Sequence, residues 1–140
     1  MYIARAVLIV SFSVLFVGCS TLNNVSKSTK PKSETLSAER VTVLFSNHTV
    51  ESYNPRRKVT SFTYYHPDGQ LLQERFWETR SGQWKVLADG QICLTFTETT
   101  CRFIEANLDK YSKYRIEDDT SKQTTAYYRR FIKGNVLDRN

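Results

Sequence analysis

The sequence predicts an all-β domain: about eight antiparallel strands in a meander, closed as a small up-and-down barrel or folded as a curved sandwich, with one short N-terminal helix. Three observations lead there. Turn signals recur about every eight to twelve residues, at Asn54-Pro55, His66-Pro67-Asp68-Gly69, Ser81-Gly82, Asp89-Gly90, Thr99-Thr100, Asn107 to Asp109, Asp118-Asp119 and Gly134-Asn135. Several segments between them alternate apolar with polar residues, as half-buried strands do. Beyond residue 45 no segment sustains a helical period.

The helix is expected over Leu36–Phe45, where Ser37 is a good N-cap and Val41, Leu44 and Phe45 fall at helical spacing. The β-branched run Val41-Thr42-Val43 makes a strand the alternative. Strands follow over His48–Tyr53, Val59–Tyr65, Gln70–Glu78, Gln83–Ala88, Gln91–Thr97, Cys101–Asn107, Tyr111–Glu117 and Gln123–Ile132. Trp84, Val86 and Ala88 share one face, as do Ile92, Leu94 and Phe96, and Phe62 with Tyr64 and Tyr114 with Ile116 extend the apolar pattern. Leu71 to Trp77 and Thr124 to Ile132 carry arginines or glutamates on both faces, which bulges or a polar interior would each produce. Closure removes the exposed edges that invite aggregation. Eight strands leave an interior filled by side chains or just wide enough for one small ligand.

The chain has 140 residues, with 20 Lys+Arg against 14 Asp+Glu. That length supports one small domain, and the composition excludes a wholly disordered chain, a collagen-like repeat and a multi-span membrane protein. Residues 1–18 read as a secretory signal: Arg5 is the only charge, and the apolar stretch ending at Gly18 is too short for the roughly 20 residues a membrane-spanning helix needs. Phe16-Val17-Gly18-Cys19 resembles the lipobox of bacterial lipoproteins. The resemblance implies cleavage before Cys19 and lipid attachment to its sulfur, although Phe16 stands where Leu is usual. An ordinary signal peptide with an incidental cysteine is the alternative. Several acyl chains on one residue anchor stably where a single chain does not. Ser20 after the cysteine implies, by resemblance to enterobacterial sorting, the outer membrane with the domain facing the periplasm. Residues 19–35, rich in Ser, Thr, Asn and Lys, read as a flexible tether, and residues 36–140 as the single globular domain.

Within residues 36–140, 16 cations stand against 13 carboxylates, a mild excess of +3. A nucleic-acid partner is not expected, since Arg56-Arg57-Lys58 and Arg129-Arg130 are interspersed with carboxylates rather than clustered along a groove. Setting Cys19 aside for lipid leaves Cys93 and Cys101, an even number in an oxidising compartment, and predicts a disulfide between neighbouring strands. Two cysteines without further soft ligands do not make a zinc site. Glu117-Asp118-Asp119 lacks the spacing and glycine of a calcium loop, so no metal or other cofactor is expected. Both histidines have structural explanations: His48 opens a strand, and His66-Pro67-Asp68-Gly69 has type I turn chemistry. A His66–Asp68 pair would need a nucleophile, and no nucleophile motif is present, so catalysis is not expected. Trp77, Trp84, Tyr64-Tyr65 and Tyr127-Tyr128 suit a ligand-binding barrel but suit an ordinary β core better.

The order Y-Y-x-P-D-G (Tyr64 to Gly69), G-x-W (Gly82 to Trp84), D-G-x-x-C (Asp89 to Cys93), a second cysteine at Cys101 and G-N (Gly134-Asn135) resembles a family of small secreted bacterial proteins of unknown function. The resemblance implies an exported β-rich domain and carries no catalytic residues. Together these features point to a non-enzymatic cell-envelope lipoprotein, membrane-tethered, that engages a protein or cell-wall partner. A lipocalin-like carrier of a small apolar or anionic ligand is the second reading. A periplasmic enzyme inhibitor is the third, because small lipidated barrels with one disulfide resemble lysozyme inhibitors. A domain at +3 would not be steered to commonly basic lysozymes.

Overall fold

The computed structural model describes residues 32–118 and 120–137. Over that stretch the chain forms β1 (Glu34–Thr35), α1 (Ala38–Phe45), β2 (His48–Asn54), β3 (Val59–Tyr65), β4 (Gln70–Arg75), β5 (Glu78–Val86), β6 (Ile92–Thr95), β7 (Thr99–Asn107), β8 (Lys110–Glu117) and β9 (Ser121–Lys133). Each strand from β2 to β9 pairs antiparallel with the next, and β9 pairs back onto β2. The meander therefore closes as an eight-stranded up-and-down barrel, with β1 added beside β7. The expected signal segment and Cys19 lie outside the described residues. Among the described residues no helix is long and apolar enough to cross a membrane.

The helix forms as its sequence predicts. Ser37 caps it by accepting from the Arg40 amide, and Val41 and Phe45 are fully buried on its inner side. Phe45 meets Tyr65, Tyr128 and Phe131 edge-on, with ring centroids 5.0, 5.1 and 5.5 Å away. Edge-to-face contacts of this kind each add about 0.5–1.5 kcal/mol beyond area burial. The helix packs into an apolar layer that includes Val50, Leu71, Trp84, Ile92 and Ile104, and so plugs one end of the barrel.

Two turns at the plugged end are held by the residues the motifs picked out. Gly69 donates to the His66 carbonyl, Trp84 donates from its amide to Gly69 and from its indole Nε1 to His66, and the Asp68 carboxylate accepts from the Gln70 amide. That last bond is the main reason the Asp68 carboxyl titrates below its ordinary value. Gly90 has φ +89° and lies where a Cβ would be 2.5 Å from the Leu36 carbonyl oxygen, so only glycine lets the chain before the helix cross this turn.

The structure differs from the expected segmentation in three places. Glu34 and Thr35, assigned by composition to the tether, pair with Ala106 and Glu105, and the Thr35 hydroxyl bonds the Tyr114 hydroxyl at 2.7 Å. The strand expected over Gln70–Glu78 ends at Arg75, and Phe76-Trp77 makes a two-residue turn with Phe76 at φ +57°. β5 consequently starts at Glu78, and Ser81-Gly82 lies inside it rather than in a turn. Neither Phe nor Trp carries a turn signal, whereas Ser-Gly does; Gly82 is there for space, since a Cβ would sit 2.4 Å from the Thr95 carbonyl oxygen and 2.9 Å from the Phe96 ring. Thr99 and Thr100 likewise belong to β7. The Cys93–Cys101 disulfide joins directly opposed residues of β6 and β7.

Candidate binding cavity

Because β2 begins and β3 ends at the plugged end, the turns β2–β3, β4–β5, β6–β7 and β8–β9 all gather at the opposite end, which is open. From that mouth a cavity of about 500 Å³ reaches into the barrel as far as Tyr65 and Leu94. Strand periodicity builds its wall. Ser52 and Asn54 of β2, Val59, Ser61, Thr63 and Tyr65 of β3, Gln73 and Arg75 of β4, Arg80 of β5, Thr100 and Arg102 of β7, and Lys113 of β8 stand two residues apart along their strands and face inward.

The lining is polar and strongly cationic. Arg57, Arg75, Arg80, Arg102 and Lys113 contribute five positive groups, against the single carboxylate of Glu98. The basic residues fall into two sets. Arg57 and Arg75 both act on Arg80 near the mouth: desolvation is the main cause of its lowered pKa, and these two guanidinium groups lower it further, while Glu78 partly opposes them. Deeper, Arg102 and half-buried Lys113 lie together. Desolvation, and then the charge of Arg102, push the Lys113 ammonium down to about 8. Arg102 is itself lowered by desolvation and by Arg115. Like charges thus gather around one space, an arrangement that is unfavourable until an anion enters it.

A chain of side chains fixes the wall. Gln73 donates from Nε2 to the Thr63 hydroxyl at 2.8 Å, and its Oε1 accepts from Arg80 Nε at 3.0 Å and Nη2 at 2.6 Å. The Arg80 guanidinium lies 3.7 Å from the centroid of the Phe96 ring. At the inner end, burial pushes the Tyr65 phenol above its ordinary pKa. The Tyr128 hydroxyl nearby is also buried, raised by desolvation and then by Tyr65, and has no hydrogen-bond partner among the described residues.

The residues singled out from sequence fall elsewhere. His66 and Asp68 pair at 2.7 Å in a turn at the plugged end, away from the cavity, and His48 Nδ1 lies 2.8 Å from the Ser46 carbonyl oxygen. Trp84 and Tyr65 are core residues, whereas Trp77 is 97% exposed on the β4–β5 turn. Arg129 and Arg130 lie on the outer face against buried Glu51, at 3.7 and 2.5 Å, but Arg57 of the other basic run reaches the cavity. Among the described residues no group of three His, Cys, Asp or Glu could hold a metal ion.

A polar interior, one of the two alternatives read from Leu71 to Trp77, is present at Gln73 and Arg75; its concentration of cations is what sequence reasoning missed, although the signal was present. Arg75 stands four residues from Leu71, Arg80 four from Trp84, and Arg102 two from Ile104, so each shares the inward parity of a core residue on its own strand. No protein-family model, curated protein or solved structure matches this chain.

Proposed function

We propose that this domain is a non-enzymatic binding module of the cell envelope, lipid-anchored through Cys19 and facing the periplasm from the outer membrane, that holds a small anionic ligand or the anionic group of a larger one inside its barrel. The observation that carries the reading is the five-to-one excess of cations over carboxylates in the cavity lining. A domain that is only mildly basic as a whole has gathered five of its cations around one concave space, where their fields add on an anion. The barrel supports a carrier of the lipocalin-like kind, and the polar wall favours an anionic over an apolar ligand. A cell-wall component bearing carboxylate or phosphate would satisfy both this reading and the expected envelope partner.

Isothermal titration of the full chain with inorganic pyrophosphate, citrate and uncharged glycerol tests it. Saturable heat is expected with at least one anion and none with glycerol. The pair of substitutions Arg102→Met and Lys113→Met should weaken anion binding at least about a hundredfold, since charge-assisted hydrogen bonds contribute about 1.5–3 kcal/mol each. Silence with every anion, or affinity unchanged in the double variant, would sink the reading.

A further inference from the structure

The mouth of the barrel carries a second feature, an aromatic knob whose basic neighbours include Arg57 and Arg75 of the cavity lining. Phe76 and Trp77 are 65% and 97% exposed, and their rings stack with centroids 6.3 Å apart, forming one apolar knob at the tip of the β4–β5 hairpin. A two-residue hairpin turn ordinarily takes Gly, Asn or Asp where φ is positive, yet Phe76 occupies that position at φ +57°. A bulky residue with positive φ is a conformational outlier, and such strain collects at functional sites. The sequence has thus placed two large aromatics in water, one of them, Phe76, where a small residue would also suit the backbone better.

The charges around the knob are predominantly basic. Arg56, Arg57 and Lys58 form the exposed neighbouring β2–β3 turn, and Arg75 precedes the knob with its guanidinium 5.9 Å from the Phe76 ring centroid. On the hairpin itself Glu74 and Glu78 offset Arg75 and Arg80, so the basic excess beside the knob comes from the β2–β3 turn. The carboxylates Glu98 and Asp118 belong to the β6–β7 and β8–β9 turns, across the mouth. Tryptophan sits favourably at the level of lipid headgroups, and each basic residue near an anionic bilayer strengthens attraction by about fivefold.

We infer that the β2–β3 and β4–β5 side of the barrel mouth docks on an anionic lipid surface, with Phe76 and Trp77 inserted and Arg56, Arg57 and Lys58 against the headgroups. Charge complementarity selects this partner. A protein groove could take the aromatic knob, but the adjacent basic turn matches a surface that is negative throughout.

Trp77 fluorescence provides the test. The full chain and its Trp77→Phe variant are incorporated into vesicles of phosphatidylcholine, alone or mixed with phosphatidylglycerol, each made with and without acyl-chain bromine. The wild-type signal minus that of the variant isolates Trp77 from buried Trp84. Bromine should quench this difference signal in the anionic vesicles and much less in the zwitterionic ones. Replacing Arg56, Arg57 and Lys58 by Gln should lower the docked-to-free ratio by about fivefold per cation removed. Three results would overturn the inference: no quenching on anionic vesicles, equal quenching on both vesicle types that survives the triple substitution, or a concentration-dependent blue shift of Trp77 without bromine quenching. The last would mean that a second copy covers the knob.

Discussion

Gln73 Oε1 accepts two hydrogen bonds from Arg80, so one buried amide holds a guanidinium at a fixed place on the cavity wall. Replacing it by a carboxylate of the same shape would keep that grip and supply an anion from the protein itself. Gln73→Glu is therefore expected to weaken binding of an external anion at least about tenfold, which is about 1.4 kcal/mol, without lowering the melting temperature. Titration calorimetry beside a thermal melt separates the two effects.

Lys113 gives the cavity a pH dependence of definite sign. Its ammonium is charged below about pH 8 and neutral above, because burial and Arg102 have lowered it from 10.5. Anion affinity should fall as pH rises through that value. Binding above it should take up a proton, read as a dependence of the apparent heat on the buffer's ionisation enthalpy. For folding the sign is opposite: between about pH 8 and 10.5 the unfolded chain holds this proton and the native protein does not, so this group's contribution to stability rises with pH over that window. Lys113→Met should remove both dependences.

The disulfide closes a short loop between adjacent strands. Substituting both Cys93 and Cys101 by Ser should cost about 2–3 kcal/mol on the loop-entropy relation, measured by denaturant unfolding. Anion affinity at saturating folded fraction should change little, because alternation along β6 and β7 turns both cysteines away from the inward faces of Leu94 and Arg102.

The plug concentrates its contacts in one ring. Phe45→Ala would leave Tyr65, Tyr128 and Phe131 facing a void, and should destabilise the domain by about 3–5 kcal/mol in the same unfolding experiment. It should also loosen the floor of the cavity, so that amide exchange rises in β2 and β3 before it rises in β6 and β7.

Much of the architecture was legible in the sequence because it depends on local chemistry. The His66 to Gly69 turn, the Ser37 cap and the alternation in Ile92, Leu94 and Phe96 each specify their own geometry. The cavity was obscured because inward parity was followed through apolar residues alone. Gln73 and Arg75 continue the inward face begun by Leu71, as a polar interior requires, but with charged residues on both faces of the segment a bulge would have read the same. The β4–β5 turn was hidden for the opposite reason: Phe76 and Trp77 have strand propensity, and only their pairing neighbours Arg75 and Glu78 mark them as a turn. Depth along a strand, which decides whether an inward residue meets the plug or the mouth, is set by closure of the whole barrel and is absent from any single segment.

The longest strand, β9, is read in three frames. Thr125 and Arg129 each interrupt its register, so the inward residues are Gln123, then Ala126 and Tyr128, then Phe131. Each interruption shifts the pattern by one residue, and the two together restore the original frame. Each is an extra letter that the facing strand does not read, so losing either alone would leave an unbroken ladder with Gln123, Ala126, Tyr128 and Phe131 still facing inward. Losing a residue that does have a partner, such as Tyr127, acts instead as a single-base deletion acts on a coding sequence, exchanging the inner and outer faces of everything on one side of the lesion. Length variation in this strand is therefore tolerated one residue at a time at the two bulges, and not between them.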